Sequence, residues 1–262
     1  VKPVQYSFIE RIVLDKAVFL CGCNSKTQNK ILDNAVKELK QVLAAMKKDV
    51  SVNKSAKKEG SITILRDASM KQESYRIERK KTAITITAAD ACGVLYGAFD
   101  LARSLYLAKL ADGTDRLEVP MNPLRMMNHW DNIDGSIERG YSGLSFFMKG
   151  GKVLVDDRTR YYARMAASVG INGVVINNVN VRGDATNLIN EKFRKKLQAM
   201  QAVFEGYGIK LYLSLNYAAP VVMRALTTAD PLDKNVREWW VEKMKEFYEG
   251  MPGFGGFLVK AD

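Results

Sequence analysis

Apolar positions recur along this chain in two successive rhythms. Over residues 1–110, the apolar run Ala17–Cys21 predicts a strand, followed by a polar turn and a helix at about Lys26–Lys47. In that helix Ile31, Ala35, Leu39, Val42 and Met46 repeat at the three-to-four spacing that places them on one face. Ser61–Leu65, Ser74–Glu78 and Ala83–Ala88 alternate or carry β-branched residues, as strands of a half-covered sheet do. A second helix is predicted at about Ala91–Leu107. The Lys- and Ser-rich tract Lys47–Gly60 reads as a mobile loop. Together these elements predict a small, sandwich-like α/β domain without a catalytic constellation.

Residues 111–123, with Asp112-Gly113 and two prolines, read as a linker. The rhythm then changes. Strands are predicted at Leu124–Trp130, Gly173–Asn178, Lys210–Asn216 and Gly256–Lys260, separated by helices near Thr159–Val169, Asn190–Tyr207 and Val236–Tyr248. Alternating strands and helices imply parallel strands with covering helices. Each strand is apolar in the middle and polar at its carboxyl end, where both the (β/α)8 barrel and doubly wound sheets place ligand groups. No glycine-rich phosphate loop follows a strand, which disfavours a nucleotide fold. The predicted class is therefore α/β, with residues 124–262 forming the first four βα units of a (β/α)8 barrel.

Composition narrows the classes of function. The 262 residues are 47% hydrophobic and 26% charged, ordinary for a globular protein with a substantial core. No apolar stretch approaches the roughly 20 residues needed to span a bilayer. The end Val1-Lys2-Pro3 reads as processed or trimmed, which hides the compartment. A net charge of +11 raises the question of nucleic acid. The lysines, however, stand beside acids on helices or in short surface runs such as Lys47-Lys48, and no nucleic-acid signature accompanies them. Cys21, Cys23 and Cys92 fit neither a zinc spacing nor an unstrained bridge between the first two, and read as small buried residues. No metal or cofactor is implied.

The candidate chemistry lies in Asn128-His129-Trp130-Asp131-Asn132, which holds the one histidine of the chain and one of its three tryptophans. Such a cluster is poor core material, since every polar side chain would need a partner away from water. At the end of a buried strand it can face a ligand.

At this point the residues resemble a known family. Leu-Arg-Met-Met-Asn-His-Trp-Asp-Asn-Ile-Asp-Gly-Ser-Ile-Glu-Arg-Gly-Tyr (124–141), Gly-Ile-Asn-Gly-Val-Val-Ile-Asn-Asn-Val-Asn (170–180) and Tyr-Gly-Ile-Lys-Leu-Tyr-Leu-Ser-Leu-Asn-Tyr-Ala-Ala-Pro (207–220) resemble glycoside hydrolase family 67, the bacterial and fungal α-glucuronidases. Thr-Ala-Asp-Pro-Leu-Asp (228–233) and Gly-Phe-Gly-Gly-Phe-Leu-Val-Lys-Ala-Asp (253–262) continue the likeness in order. Gly-Val-Leu-Tyr-Gly-Ala-Phe (93–99) resembles the family's N-terminal domain more loosely. The resemblance implies removal of α-1,2-linked glucuronic acid, or its 4-O-methyl ether, from xylo-oligosaccharides with inversion. Inversion requires a carboxylic acid on the leaving oxygen and a carboxylate base activating water on the opposite face. It also implies that the acid follows the strand ending Val-Lys-Ala-Asp and that the candidate bases lie further on, so residues 1–262 would lack all three. A periplasmic or secreted location is expected for an enzyme of xylan breakdown, with a cytoplasmic one as the alternative.

The candidate substrate-binding residues each have a structural counterpart reading. Trp130 can stack on a sugar face and donate its ring N–H, or fill the core below. His129 can bond a hydroxyl or be a satisfied structural group. Asp131 and Asn132 belong to the site through the family motif, or cap the next loop. Glu138, matching a family pocket position, binds substrate or forms a surface ion pair, and is the sole visible candidate for catalysis; Arg139 orients it. Asn177, Asn178 and Asn216 close their strands with donors and acceptors for hydroxyls, or with turns. Val179 matches a family position near the sugar's 4-position, where an apolar side chain tolerates a methyl ether. Lys260 can pair with a uronate carboxylate, or support the residues that touch the substrate. Rival readings are a carbohydrate-binding protein without chemistry and a glycosidase for another acidic sugar. Four parallel strands also present open edges, which further chain, a homodimer partner or rearrangement would cover.

Overall fold

The computed structural model describes residues 6–20, 22–55, 59–181 and 183–260. Contacts divide the chain into two compact units, one built on Val1–Pro123 with the short segments Ala167–Gly170 and Gly206–Gly208, the other on the remainder. Both are α/β.

In the first unit the elements run β1 (Arg11–Leu14), α1 (Ser25–Ala45), β2 (Ser51–Asn53), β3 (Ser61–Arg66), β4 (Tyr75–Lys80), β5 (Ala83–Ala88), α2 (Ala91–Tyr106) and β6 (Asp115–Glu118). The sheet order is β2-β1-β3-β5-β4-β6, with β4 antiparallel to both neighbours. Register aligns Ile12, Ile62 and Ile84, and beside them Leu14, Ile64, Ile86 and Ile77, all buried. This period-two row is the apolar face that the alternation predicted. Helix α2 lies close on it because two of its residues lack side chains. A Cβ at Gly97 would stand 2.8 Å from Ile86 Cγ2, and one at Gly93 only 2.4 Å from the Ser74 carbonyl oxygen. Asp90 caps the helix by accepting the Gly93 N–H at 2.9 Å.

Three expectations change here. The first strand is Arg11–Leu14, not Ala17–Cys21. Asp15 accepts the Ala17 N–H at 3.0 Å and turns Lys16–Phe19 into a 3-10 helix, leaving Val18 exposed. Residue Cys21 lies outside the described residues, as does the side chain of Cys23; Cys92 is half-buried. Within Lys47–Gly60, Ser51–Asn53 pairs with β1 as an edge strand, while 56–58 lie outside the described residues. Inside the predicted linker, Asp115–Glu118 adds β6 to the sheet, tied by the Arg76–Asp115 ion pair.

The second unit holds β7 (Met126–Asn128), the hairpin β8 (Met148–Lys149) and β9 (Lys152–Val153), and α3 (Asp157–Ser168). It continues with β10 (Gly173–Val175), a 3-10 stretch Gly183–Ile189, α4 (Glu191–Glu205), β11 (Lys210–Asn216), α5 (Ala219–Val222), α6 (Lys234–Gly250) and β12 (Gly256–Lys260). Strands β7, β10, β11 and β12 form an all-parallel sheet in chain order, each joined to the next through a helix. Val174, Leu211 and Leu213 of the sheet, Ile176 just past β10, and Leu197, Met200 and Phe204 of α4 are fully buried. Each such side chain contributes about 1.5–3 kcal/mol of transfer free energy.

Regular pairing in β7 and β10 is shorter than predicted. The His129 N–H still reaches the Val175 carbonyl at 2.9 Å. Beyond it side chains and loop carbonyls take over from the ladder, and the polar carboxyl ends begin. Among the described residues no helix is long and apolar enough to cross a membrane.

Candidate functional site

At the carboxyl ends of β7 and β10, two loops are laced together by asparagines. The Asn178 N–H donates to the Asp131 carbonyl at 2.8 Å, and its side-chain amide donates to Asn132 Oδ1 at 3.0 Å. Asn132 Nδ2 in turn donates to Ser136 Oγ at 3.0 Å and to the Glu138 carbonyl at 2.8 Å. Asp134 accepts both the backbone N–H and the hydroxyl of Ser136, which closes a tight turn and holds its own carboxyl below the usual range. Gly135, at φ +104°, passes under the Met148 carbonyl, where a Cβ would come within 3.1 Å.

That turn delivers Glu138 in the left-handed region, at φ 58°, with its N–H on the Trp130 carbonyl at 3.0 Å. A non-glycine residue held there costs on the order of 1–2 kcal/mol, so the loop's hydrogen bonds sustain a strained backbone. The Tyr141 hydroxyl lies 3.2 Å from Glu138 Oε1, while Oε2 is buried without a hydrogen-bond partner.

The open cavity between the two loops has a volume of about 470 Å3. Its walls collect Asp131, Asn132, Glu138, Arg139 and Asn178 from the predicted set, and add Asp134, Asn180 and Asp184. Four of these groups are carboxyls and one is a cation, so the cavity offers mainly hydrogen-bond acceptors, which suits polyols. Asn180 was visible as the end of the run Asn177-Asn178-Val179-Asn180. Asp184 sits in the 3-10 stretch and carried no periodic signal.

The remaining predicted residues lie elsewhere. Trp130 is 37% exposed and stands outside the cavity wall. Asn177 is buried, and its amide exchanges bonds with Ser214: Nδ2 donates to the carbonyl at 3.1 Å, and Oδ1 accepts the N–H at 2.7 Å. Asn216 Nδ2 donates to the Val181 carbonyl at 3.0 Å while Oδ1 accepts the Ala218 N–H at 2.9 Å. Both amides are thus committed to joining strand ends. Val179 is half-buried and not in the cavity wall. Lys260 ends β12 opposite Asn216, and its side chain lies outside the described residues.

His129 sits behind Asp131. Its Nε2 is 2.5 Å from the Tyr162 hydroxyl and its Nδ1 is 3.9 Å from Asp131 Oδ1. Ser145 donates its hydroxyl to Asp131 Oδ2 and accepts the Phe147 and Met148 N–H groups at 3.0 Å. Burial raises the Asp131 pKa, against the opposing pull of Ser145 and His129. Burial also lowers the pKa of His129, against the pull of Asp131. The Tyr162 phenol is pushed up by burial and by the Asp131 charge. Tyr162 and Ser145 carried no functional signal, since one looked like a helix core residue and the other like loop polarity. Among the described residues, no three His, Cys, Asp or Glu side chains gather to hold a metal ion.

Residues 106–262 match the glycosyl hydrolase family 67 middle domain. The chain belongs to glycosyl hydrolase family 67. Residues 23–111 match domain 2 of glycosyl hydrolase family 20. The chain is 39% identical over 204 residues to an alpha-glucuronidase of Hypocrea jecorina, covering 74% of this chain and 23% of that protein. It is 36% identical over 198 residues to a probable alpha-glucuronidase A of Aspergillus clavatus, with the same coverage of 74% and 23%. The chain thus spans less than a quarter of the length of these relatives. Among solved structures, a GH138 enzyme targeting pectin rhamnogalacturonan II superposes with a TM-score of 0.60 at 18% identity, over 88% of this chain and 29% of that one. At that identity the likeness concerns the fold alone.

Proposed function

We propose that the full-length protein is an inverting α-glucuronidase that removes α-1,2-linked glucuronic or 4-O-methylglucuronic acid from xylo-oligosaccharides. Residues 124–262 supply the first four βα units of its (β/α)8 barrel. The observation that carries this reading is the placement of the motif Asp131–Arg139: the stretch that carries the family likeness also walls the acceptor-rich cavity at the carboxyl ends of parallel strands. Asp131, Asn132, Glu138 and Asn178 then bond sugar hydroxyls, and the free acceptor Glu138 Oε2 takes one of them. Arg139 is the one cation of the described wall, so pairing with the uronate carboxylate falls first to it, with Lys260 as the second candidate. Trp130 offers its exposed face to a neighbouring sugar, and Val179 tolerates the 4-O-methyl ether. His129 supports the site, and Asn177 and Asn216 hold the strand ends that shape it.

The general acid and the base are assigned to residues after Asp262, by family resemblance. Action on a plant polymer favours a periplasmic or secreted location. The test is incubation of the full-length protein with aldouronic acids. The expected result is release of the uronic acid in the β-configuration, followed by proton NMR at the anomeric centre. Absence of release, with other uronosides turned over instead, would defeat the substrate assignment. Turnover by residues 1–262 alone would return the acid to this chain, with Glu138 as first candidate.

A further inference from the structure

The Tyr162 hydroxyl has a single proton and, among the described residues, a single hydrogen-bond partner. Phe146, Phe147 and Phe204 surround its ring at 5.6, 5.3 and 6.1 Å between centroids, and the hydroxyl makes no other hydrogen bond among the described residues. The phenol stays protonated, because burial and the nearby carboxylate both oppose its ionisation. Its proton has His129 Nε2 at 2.5 Å as its acceptor, which makes Nε2 the bare nitrogen of the neutral ring. In the opposite tautomer Nε2–H would donate to the phenol oxygen and leave the phenol proton without an acceptor among the described residues. The imidazole proton is then on Nδ1, the nitrogen that faces Asp131 Oδ1 at 3.9 Å.

That distance is too long for a hydrogen bond and short enough for a strong electrostatic bias in a part-buried site. The other carboxylate oxygen, Oδ2, is already satisfied by Ser145, whose oxygen is held by two backbone N–H groups. Asp131 Oδ1 is thus left as an acceptor without a direct donor among the described residues, on a residue 3% exposed that forms part of the cavity wall.

We infer that His129, held in one tautomer by Tyr162, is a positioning residue that keeps Asp131 Oδ1 ready to accept a hydroxyl of the bound sugar. This rests on reading the cavity as a sugar site. His129 itself touches no substrate. The groups that face Asp131 from the surrounding elements are His129, Tyr162 and Ser145 behind it, with Asp134, Glu138, Arg139 and Asp184 around the same cavity.

The test measures binding of D-glucuronic acid by calorimetry, and turnover of an aldouronic acid, by the full-length protein across pH. Replacing His129→Leu removes the Nδ1–H and leaves a buried carboxylate less supported. The acid limb of kcat/KM should move up by about one pH unit, with KM raised roughly tenfold and kcat changed less. His129→Asn, whose amide N–H stands where Nδ1 stood, should return the limb toward the wild-type position. A limb that does not move in His129→Leu, or that Asn fails to restore, overturns the inference. If His129→Leu does not fold by thermal melt, Tyr162→Phe decides. Loss of the tautomer lock should shift the limb the same way by a smaller amount, and an unmoved limb again overturns the pairing. A wild type that neither binds nor cleaves uronosides overturns the sugar-site reading and this role of Asp131 with it. A wild type that does both, with an unmoved limb in the variants, overturns the His129 pairing alone.

Discussion

The two units use the same local grammar and spend their polar residues differently. In the first, strand alternation puts isoleucines on a dry face and sends charge such as the Arg76–Asp115 pair to solvent, while Asp100 joins Tyr75 and Arg116 in a part-buried group. In the second, the strands end in buried or half-buried asparagines and aspartate that bond to one another and to loop carbonyls. Surface ion pairs of the first kind contribute little, whereas a buried polar network forfeits the full desolvation cost of any member left unpaired. The first unit is therefore held mainly by packing, with local polar bonds at Asp100 and Tyr6, and the second by packing plus polar closure at one end. The second arrangement gathers four carboxyls around one cavity.

The contrast breaks most readily at Asn177. Asn177→Ala strands the Ser214 N–H and carbonyl in the interior, and should cost about 3 kcal/mol in urea unfolding. A cost no larger than an exposed substitution would mean that water replaces the amide. In the first unit, Gly97→Val drives methyl groups into Ile86 and the Tyr75 ring. Overpacking of this kind should cost about 2 kcal/mol, read as a lowered urea midpoint.

A smaller effect follows from His129. Burial holds its folded pKa below the ordinary 6.5 of a histidine, so the unfolded chain binds the proton first as pH falls. Stability should be unaffected by this residue above about pH 7 and should decline as pH falls from 6.5 through the depressed folded value. His129→Gln should flatten that part of the stability-pH curve. At the far end, Asp115→Asn removes an ion pair from solvent and should leave the melting temperature within error. A clear loss there would show that β6 depends on charge rather than on its ladder.

How far the sequence could be read depended on the range of the interactions involved. Helices α1, α2, α4 and α6 and strands β5, β11 and β12 follow from apolar spacing, because one face of each must be buried whatever else happens. The start of the chain misled because Ala17–Cys21 is as apolar as Arg11–Leu14, and a local turn at Asp15 decided between them. β6 was hidden because an edge strand with exposed Leu117 has no inward-facing pattern to read. At the site, Asp131, Asn132, Glu138, Arg139 and Asn178 were legible as polar endings of apolar runs and as a family motif. Tyr162, Ser145 and Asp184 were not, since each acts across at least a dozen residues of intervening chain.

By itself the sequence determined the α/β class, most of the strand and helix periods, and membership of a glycoside hydrolase family. These follow from local periodicity and from motifs read in order. Only the tertiary structure decided which polar groups face the cavity and which are consumed in joining strand ends. It put Asn178 in the cavity wall as well as in the loop lacing, and kept Asn177 and Asn216 out of the wall, though all three looked alike in sequence. It also brought His129 between Asp131 and a tyrosine 33 residues away. The reason is physical: a hydrogen-bonding group has a handful of partners to choose from, and only the folded chain brings them within 3 Å.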